Sequence, residues 1–109
     1  IFKRYDTNAD VVNYKNLKIN LSKGLISSED KEIILTKNEM IIFNYLFNNK
    51  TRIVNRDELM TELWNNEEYI NDNALSVNIS RLRTKLKELN SNIKIETRKG
   101  IGYTLIWDL

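Results

Sequence analysis

The stretch from Asn73 to Asn90, NALSVNISRLRTKLKELN, followed from Lys94 to Ile106 by KIETRKGIGYTLI, decides how the chain is read. At roughly 100° per residue the first segment forms a helix with Leu75, Ile79, Leu82, Leu86 and Leu89 in one narrow apolar stripe. The opposite side carries Asn73, Val77, Ser80, Arg81 and Thr84, and Arg83 and Lys85 lie on the flanks. A valine methyl, an amide, hydroxyls and an arginine on one outward face are the groups that read base edges in a DNA major groove. The second segment reads as a short β-hairpin with a basic tip. Gly100 and Gly102 are expected to let that tip turn with φ > 0.

Moving outward, Asn65 to Asp72 is a polar loop with three acids and three amides, broken by Tyr69 and Ile70. Asp72 or Asn73 is expected to cap the third helix. Asn55, with Glu58 three residues on, opens a second helix whose buried edge is read as Leu59, Met60, Leu63 and Trp64. Thr36 and Glu39 form a capping box for a first helix, and Met40, Ile41, Ile42, Phe43, Tyr45, Leu46 and Phe47 make it the central core helix. Before it, alternating runs at Val11–Tyr14, Leu17–Leu21, Leu25–Ser27 and Glu32–Leu35 predict a small antiparallel sheet. Ser22-Lys23-Gly24 and Ser28-Glu29-Asp30 supply turns. Residues 1–10 lack periodicity and are read as a linker or frayed start, with the chain expected to continue upstream. The expected order is four strands, three helices and a terminal hairpin: an α+β domain over residues 11–109, with a helix-turn-helix followed by a wing.

The 109 residues suffice for one domain with a modest core, and 41% hydrophobic with 29% charged is an ordinary globular composition. No run approaches the roughly 18 apolar residues of a membrane span, and the start IFKRYDTNAD has no apolar core of a secretion signal. A cytoplasmic location is expected, consistent with the absence of cysteine. With no histidine either, the commonest general base and the usual zinc ligands are missing. No catalytic residue, metal or cofactor is expected. The net charge of +2 hides an uneven distribution. From Arg81 to Lys99 seven basic residues face two acidic ones, whereas from Arg56 to Asp72 one basic residue faces six acidic ones. The pattern is either solvated surface charge arranged by chance or a polyanion-binding end with a separate acidic partner surface.

Taken together these pieces resemble the C-terminal effector domain of OmpR/PhoB-type two-component response regulators, a winged helix-turn-helix fold. The matching residues are Leu35-Thr36 with Glu39, Val54-Asn55-Arg56-Asp57-Glu58-Leu59, Trp64, Val77 through Leu86, and Arg98-Lys99-Gly100-Ile101-Gly102-Tyr103. Their spacing stays in register across residues 11–107. The resemblance implies double-stranded DNA as partner, with the third helix in the major groove and the wing at the adjacent minor groove. It gives Arg81 and Val77 base contacts, and Asn73, Asn78 and Arg83 base or backbone contacts. Arg56 and Trp64 correspond to backbone anchors, and Thr97 and Lys99 to wing contacts. It further implies a tandem dimer of the full-length protein on direct repeats. The loop with Glu67, Glu68 and Asp72, together with Glu62, would face RNA polymerase. A receiver domain with its phospho-acceptor aspartate is not found in this chain.

The chemistry of the side chains refines these expectations. Arg81 can meet guanine O6 and N7 as a fork. Val77 is either a thymine-methyl contact or a stray exposed apolar residue. Arg83 and Lys85, with Ser80, are read as contacts to the DNA backbone rather than to bases. For Trp64 burial of most of the ring is expected, with the indole N–H able to donate to a phosphate. Lys99 stands where many relatives carry arginine and lacks the guanidinium fork, so the wing is read as an electrostatic clamp. Arg98 is the alternative candidate for minor-groove insertion. The competing reading is a protein-interaction module on the same scaffold, using the acidic surface 56–72.

Overall fold

The computed structural model describes residues 11–29, 31–50, 52–66, 72–89 and 92–107. The expected linker at 1–10 and loop residues Glu67 and Glu68 lie outside these. The chain opens with β1 (Val11–Tyr14), β2 (Leu17–Asn20), β3 (Leu25–Ser27) and β4 (Glu32–Ile34), which form an antiparallel sheet in sequential order. The alternation seen in the sequence places Leu17, Ile19, Ile26 and Ile33 inward, each nearly solvent-free.

Helix α1 (Lys37–Asn48) follows, and both halves of its capping box form. The Glu39 amide donates to Thr36 Oγ1 at 3.3 Å, and the Thr36 amide donates to Glu39 Oε1 at 2.9 Å. Ile42, Phe43 and Leu46 are fully buried, which makes this the central helix of the core. Tyr14 of β1 meets Phe47 and Trp107 edge-on, with ring centroids 5.2 and 5.7 Å away, and so ties the first sheet to the end of the chain.

The second sheet has three strands: β5 (Val54–Asn55), β6 (Ile93–Arg98) and β7 (Gly102–Trp107), in the order β5-β7-β6. The terminal hairpin is therefore not a free two-stranded ribbon, as the sequence suggested. Val54 and Asn55 pair with Tyr103 and Gly102. Two residues are too short a run to carry a strand pattern, which is why β5 was invisible in the sequence.

Asn55 ends β5 and caps α2 (Arg56–Asn66) at once. The Glu58 amide donates to Asn55 Oδ1 at 2.9 Å, and the Asn55 amide returns a bond to Glu58 Oε2 at 3.0 Å. Helix α3 (Asp72–Glu88) buries Leu75, Ile79, Leu82 and Leu86, and Leu89 seals its end. Leu59 and Leu63 of α2 are equally buried, but Trp64 is 54% exposed. Its Cα direction lies about 140° from that of Leu59 on the helix wheel, outside the buried stripe. The sequence expectation that Trp64 completes the buried edge is thus corrected.

Candidate nucleic-acid interface

The outward side of α3 is built by periodicity. Asn73, Val77, Ser80, Arg81 and Thr84 fall within an arc of about 100°, opposite the leucines that face the core. All five are exposed, and Val77 shows 43% of its surface to solvent. Thr84 Oγ1 donates to the Ser80 carbonyl at 3.1 Å, and the exposed Arg81 is the one long side chain on an otherwise short-chained face. The side chain of Asp72 is outside the described residues.

Asn78 does not belong to this face. It is only 7% exposed, and its Nδ2 donates to the Ala74 carbonyl at 2.8 Å. Four residues along a helix rotate by about 40°, so Asn78 stands close beside Leu82 at the edge of the buried stripe. Its expected place among the base-reading residues is corrected accordingly.

The flanking cations are also drawn inward. Lys85 Nζ lies 2.6 Å from Glu39 Oε1 and donates to the Ile34 carbonyl at 2.8 Å. Glu39 is 1% exposed, so this lysine neutralises a buried carboxylate and joins α3 to the start of α1. Lys85, expected as a phosphate clamp, thus already has its charge matched by a buried carboxylate. On the other flank, Arg83 Nε donates to the Ile95 carbonyl at 3.3 Å, and its Nη2 donates to Thr97 Oγ1.

The wing projects beyond the core. Thr97, Arg98, Lys99, Gly100 and Ile101 are all exposed. Gly100 turns the tip with φ 77°, as expected, but Gly102 serves another purpose. A Cβ there would stand 2.0 Å from the Val54 carbonyl oxygen, so glycine is needed because β5 passes against β7. Arg98 forms an ion pair with Glu96 at 2.8 Å, two residues back on the same side of β6. Lys99 and Ile101 then make up the outermost tip. Ile101, 60% exposed, escaped the sequence reading; its signal was an isoleucine standing between two glycines.

Because Asn55 pairs with Gly102, the first residue of α2 is brought to the base of the wing. Arg56, Thr97, Arg98, Gly100, Ile101, Gly102 and Tyr103 line one open cleft there. Trp64, at the far end of α2, lies outside it.

The acidic part of α2 is anchored by Glu58. Both its oxygens accept from Arg52, at 2.8 and 2.9 Å, and this fork, aided by the Asn55 amide, holds the carboxyl below its ordinary range. The same bonds raise the Arg52 guanidinium. Among the described residues no group of three metal-ligating side chains occurs, and no helix is long and apolar enough to cross a membrane.

A four-stranded sheet, three helices and a sheet-tethered hairpin define the class: a winged helix-turn-helix domain of the DNA-binding type. The chain belongs to the family described as transcriptional regulatory protein, C terminal, the OmpR/PhoB-type effector domains, whose model matches residues 30–105. It is 45% identical over 92 residues to the response regulator protein GraR of Staphylococcus epidermidis, covering 84% of this chain and 41% of that protein. The chain thus spans about two fifths of the length of the curated relatives it matches. Among solved structures it resembles the C-terminal domain of the nisin resistance regulator NsrR, a lantibiotic response regulator. The TM-score is 0.74 and the identity 34%, with 84% of this chain and 93% of that chain covered. The DNA-binding domain of AdeR, solved with an intercistronic region, shares the fold at TM-score 0.69 and 24% identity, covering 86% of this chain and 97% of that one.

Proposed function

We propose that this domain binds double-stranded DNA in a sequence-specific manner and regulates transcription as the effector part of a two-component response regulator. The observation that carries the proposal is the exposed face of α3, where Arg81 and Val77 stand with Asn73 and Ser80 on a helix rigidly backed by buried leucines. In this reading α3 enters the major groove. Arg81 takes a guanine edge as a fork and Val77 meets a thymine methyl. Lys99 and Ile101 at the wing tip meet the neighbouring minor groove, while Arg56 and the Trp64 indole N–H hold backbone phosphates. Such a domain has no catalytic role and works in the cytoplasm. Two copies of the full-length protein would bind in tandem on direct repeats.

RNA polymerase is the proposed protein partner, met through Glu62 and the segment containing Glu67, Glu68 and Asp72. A protein-interaction module acting through the acidic α2 surface, where Asp57 is exposed, is the second reading.

A selection of duplexes from a random pool tests the proposal. Enrichment of a common motif is expected. Retention of duplexes without any shared element would remove the sequence-specific part, and failure to retain duplex at all would overturn the DNA reading.

A further inference from the structure

The geometry points to Arg83 as a positioning residue that braces the wing against the recognition helix, so that α3 and the hairpin tip meet a ligand as one rigid body. The wing needs such a brace. β6 is an edge strand: β5 pairs with β7 at Tyr103 and Gly102, opposite Thr97 and Arg98, and among the described residues no strand lies along the free side of β6. Ile93 and Ile95 anchor the inner half of β6 in the core, but from Thr97 to Ile101 every residue is exposed. Beyond Arg98 and Gly102 the tip has no third strand, and a lone two-stranded ribbon is marginally stable in water.

Arg83 stands where this support ends. From the flank of α3 its Nε donates to the Ile95 carbonyl at 3.3 Å, and its Nη2 donates to Thr97 Oγ1. Thr97 lies two residues beyond Ile95, so one planar guanidinium spans the last buried residue and the first exposed one on the same side of the strand. Charge-assisted bonds of this kind are stronger than neutral ones and direct the hairpin with a defined geometry. A lysine would offer a point charge and could not hold both acceptors in the same plane. The guanidinium therefore acts first on the protein, not on a phosphate.

The test uses Arg83→Lys, which keeps the charge, Thr97→Val, which removes the side-chain acceptor, and the double variant. Both side chains are exposed, so the core stays intact. In the free domain, amide hydrogen exchange at Ile101, whose N–H donates to the Arg98 carbonyl at 2.9 Å, is expected to accelerate roughly fivefold in each single variant, with no further gain in the double. Unchanged exchange in both variants would overturn the inference.

A second readout rests on the duplex-binding reading. Each variant should weaken binding to a selected duplex roughly fivefold, with the slope of log affinity against log salt unchanged. Full affinity for Arg83→Lys, combined with a slope shallower by about one for Arg83→Ala, would make Arg83 a phosphate contact and overturn the brace. Should the unaltered domain bind no duplex, the DNA reading fails, and the exchange measurement still decides the brace.

Discussion

Lys85 Nζ lies 2.6 Å from Glu39 Oε1, so the last turn of α3 is pinned to the first turn of α1 by a lysine whose partner is buried. Glu39 is also the reciprocal member of the α1 capping box. One carboxylate therefore fixes a helix start and the seat of the recognition helix together.

Replacing Lys85 by methionine leaves Glu39 buried without its cation. Because the lysine itself is partly exposed, a loss of about 3 kcal/mol is expected, the low end for breaking a buried pair. The urea midpoint should fall with an unchanged m-value. Duplex affinity at a temperature where the variant is folded should change little. A large affinity loss with unaltered stability would restore Lys85 as a phosphate contact.

Gly102→Ala and Gly100→Ala separate two reasons for glycine. At Gly102 the added methyl meets the Val54 carbonyl, and the β5–β7 pair must part, at about 3 kcal/mol, the upper end of overpacking costs. At Gly100 nothing stands within 4 Å, so only the left-handed backbone resists, at about 1 kcal/mol. Chemical denaturation of both variants checks the ranking; equal losses would refute it.

Arg81→Ala is expected to lower the preference for a selected duplex over a scrambled one roughly 5- to 150-fold, leaving non-specific binding. Competition titrations read this ratio. With Lys85 paired to Glu39 and Arg83 bonded to β6, about four phosphates are expected to be neutralised, and the log–log salt slope should lie at roughly −3 to −4. A flat salt response would contradict the duplex reading.

Glu58 gives the fold a pH dependence of known sign. The Arg52 fork, then the Asn55 amide, holds its carboxyl below the ordinary 4.5. The folded carboxyl thus takes up its proton less readily than the unfolded one. The associated stability is present above that ordinary value and is lost as pH falls below it. Between about pH 5 and pH 3 the thermal midpoint of Glu58→Gln should fall less steeply than that of the unaltered chain. Parallel curves would exclude this contribution.

The sequence by itself determined what depends on neighbours along the chain. Both capping boxes, the period-two strands, the leucine stripe of α3 and the exposed face with Arg81 and Val77 are consequences of spacing within a few residues, and all of them are found in the fold. The motif spacing that led to the family is of the same local kind. Tertiary structure alone decided which polar side chains stay available. Lys85 meets Glu39 across 46 residues and Arg83 meets Thr97 across 14, distances at which no periodicity operates. The same holds for Gly102, whose need for glycine comes from Val54, and for β5, which is a strand only because β7 lies beside it. A helix wheel tells which way a cation points; packing determines whether an internal carboxylate or carbonyl reaches it before a ligand does.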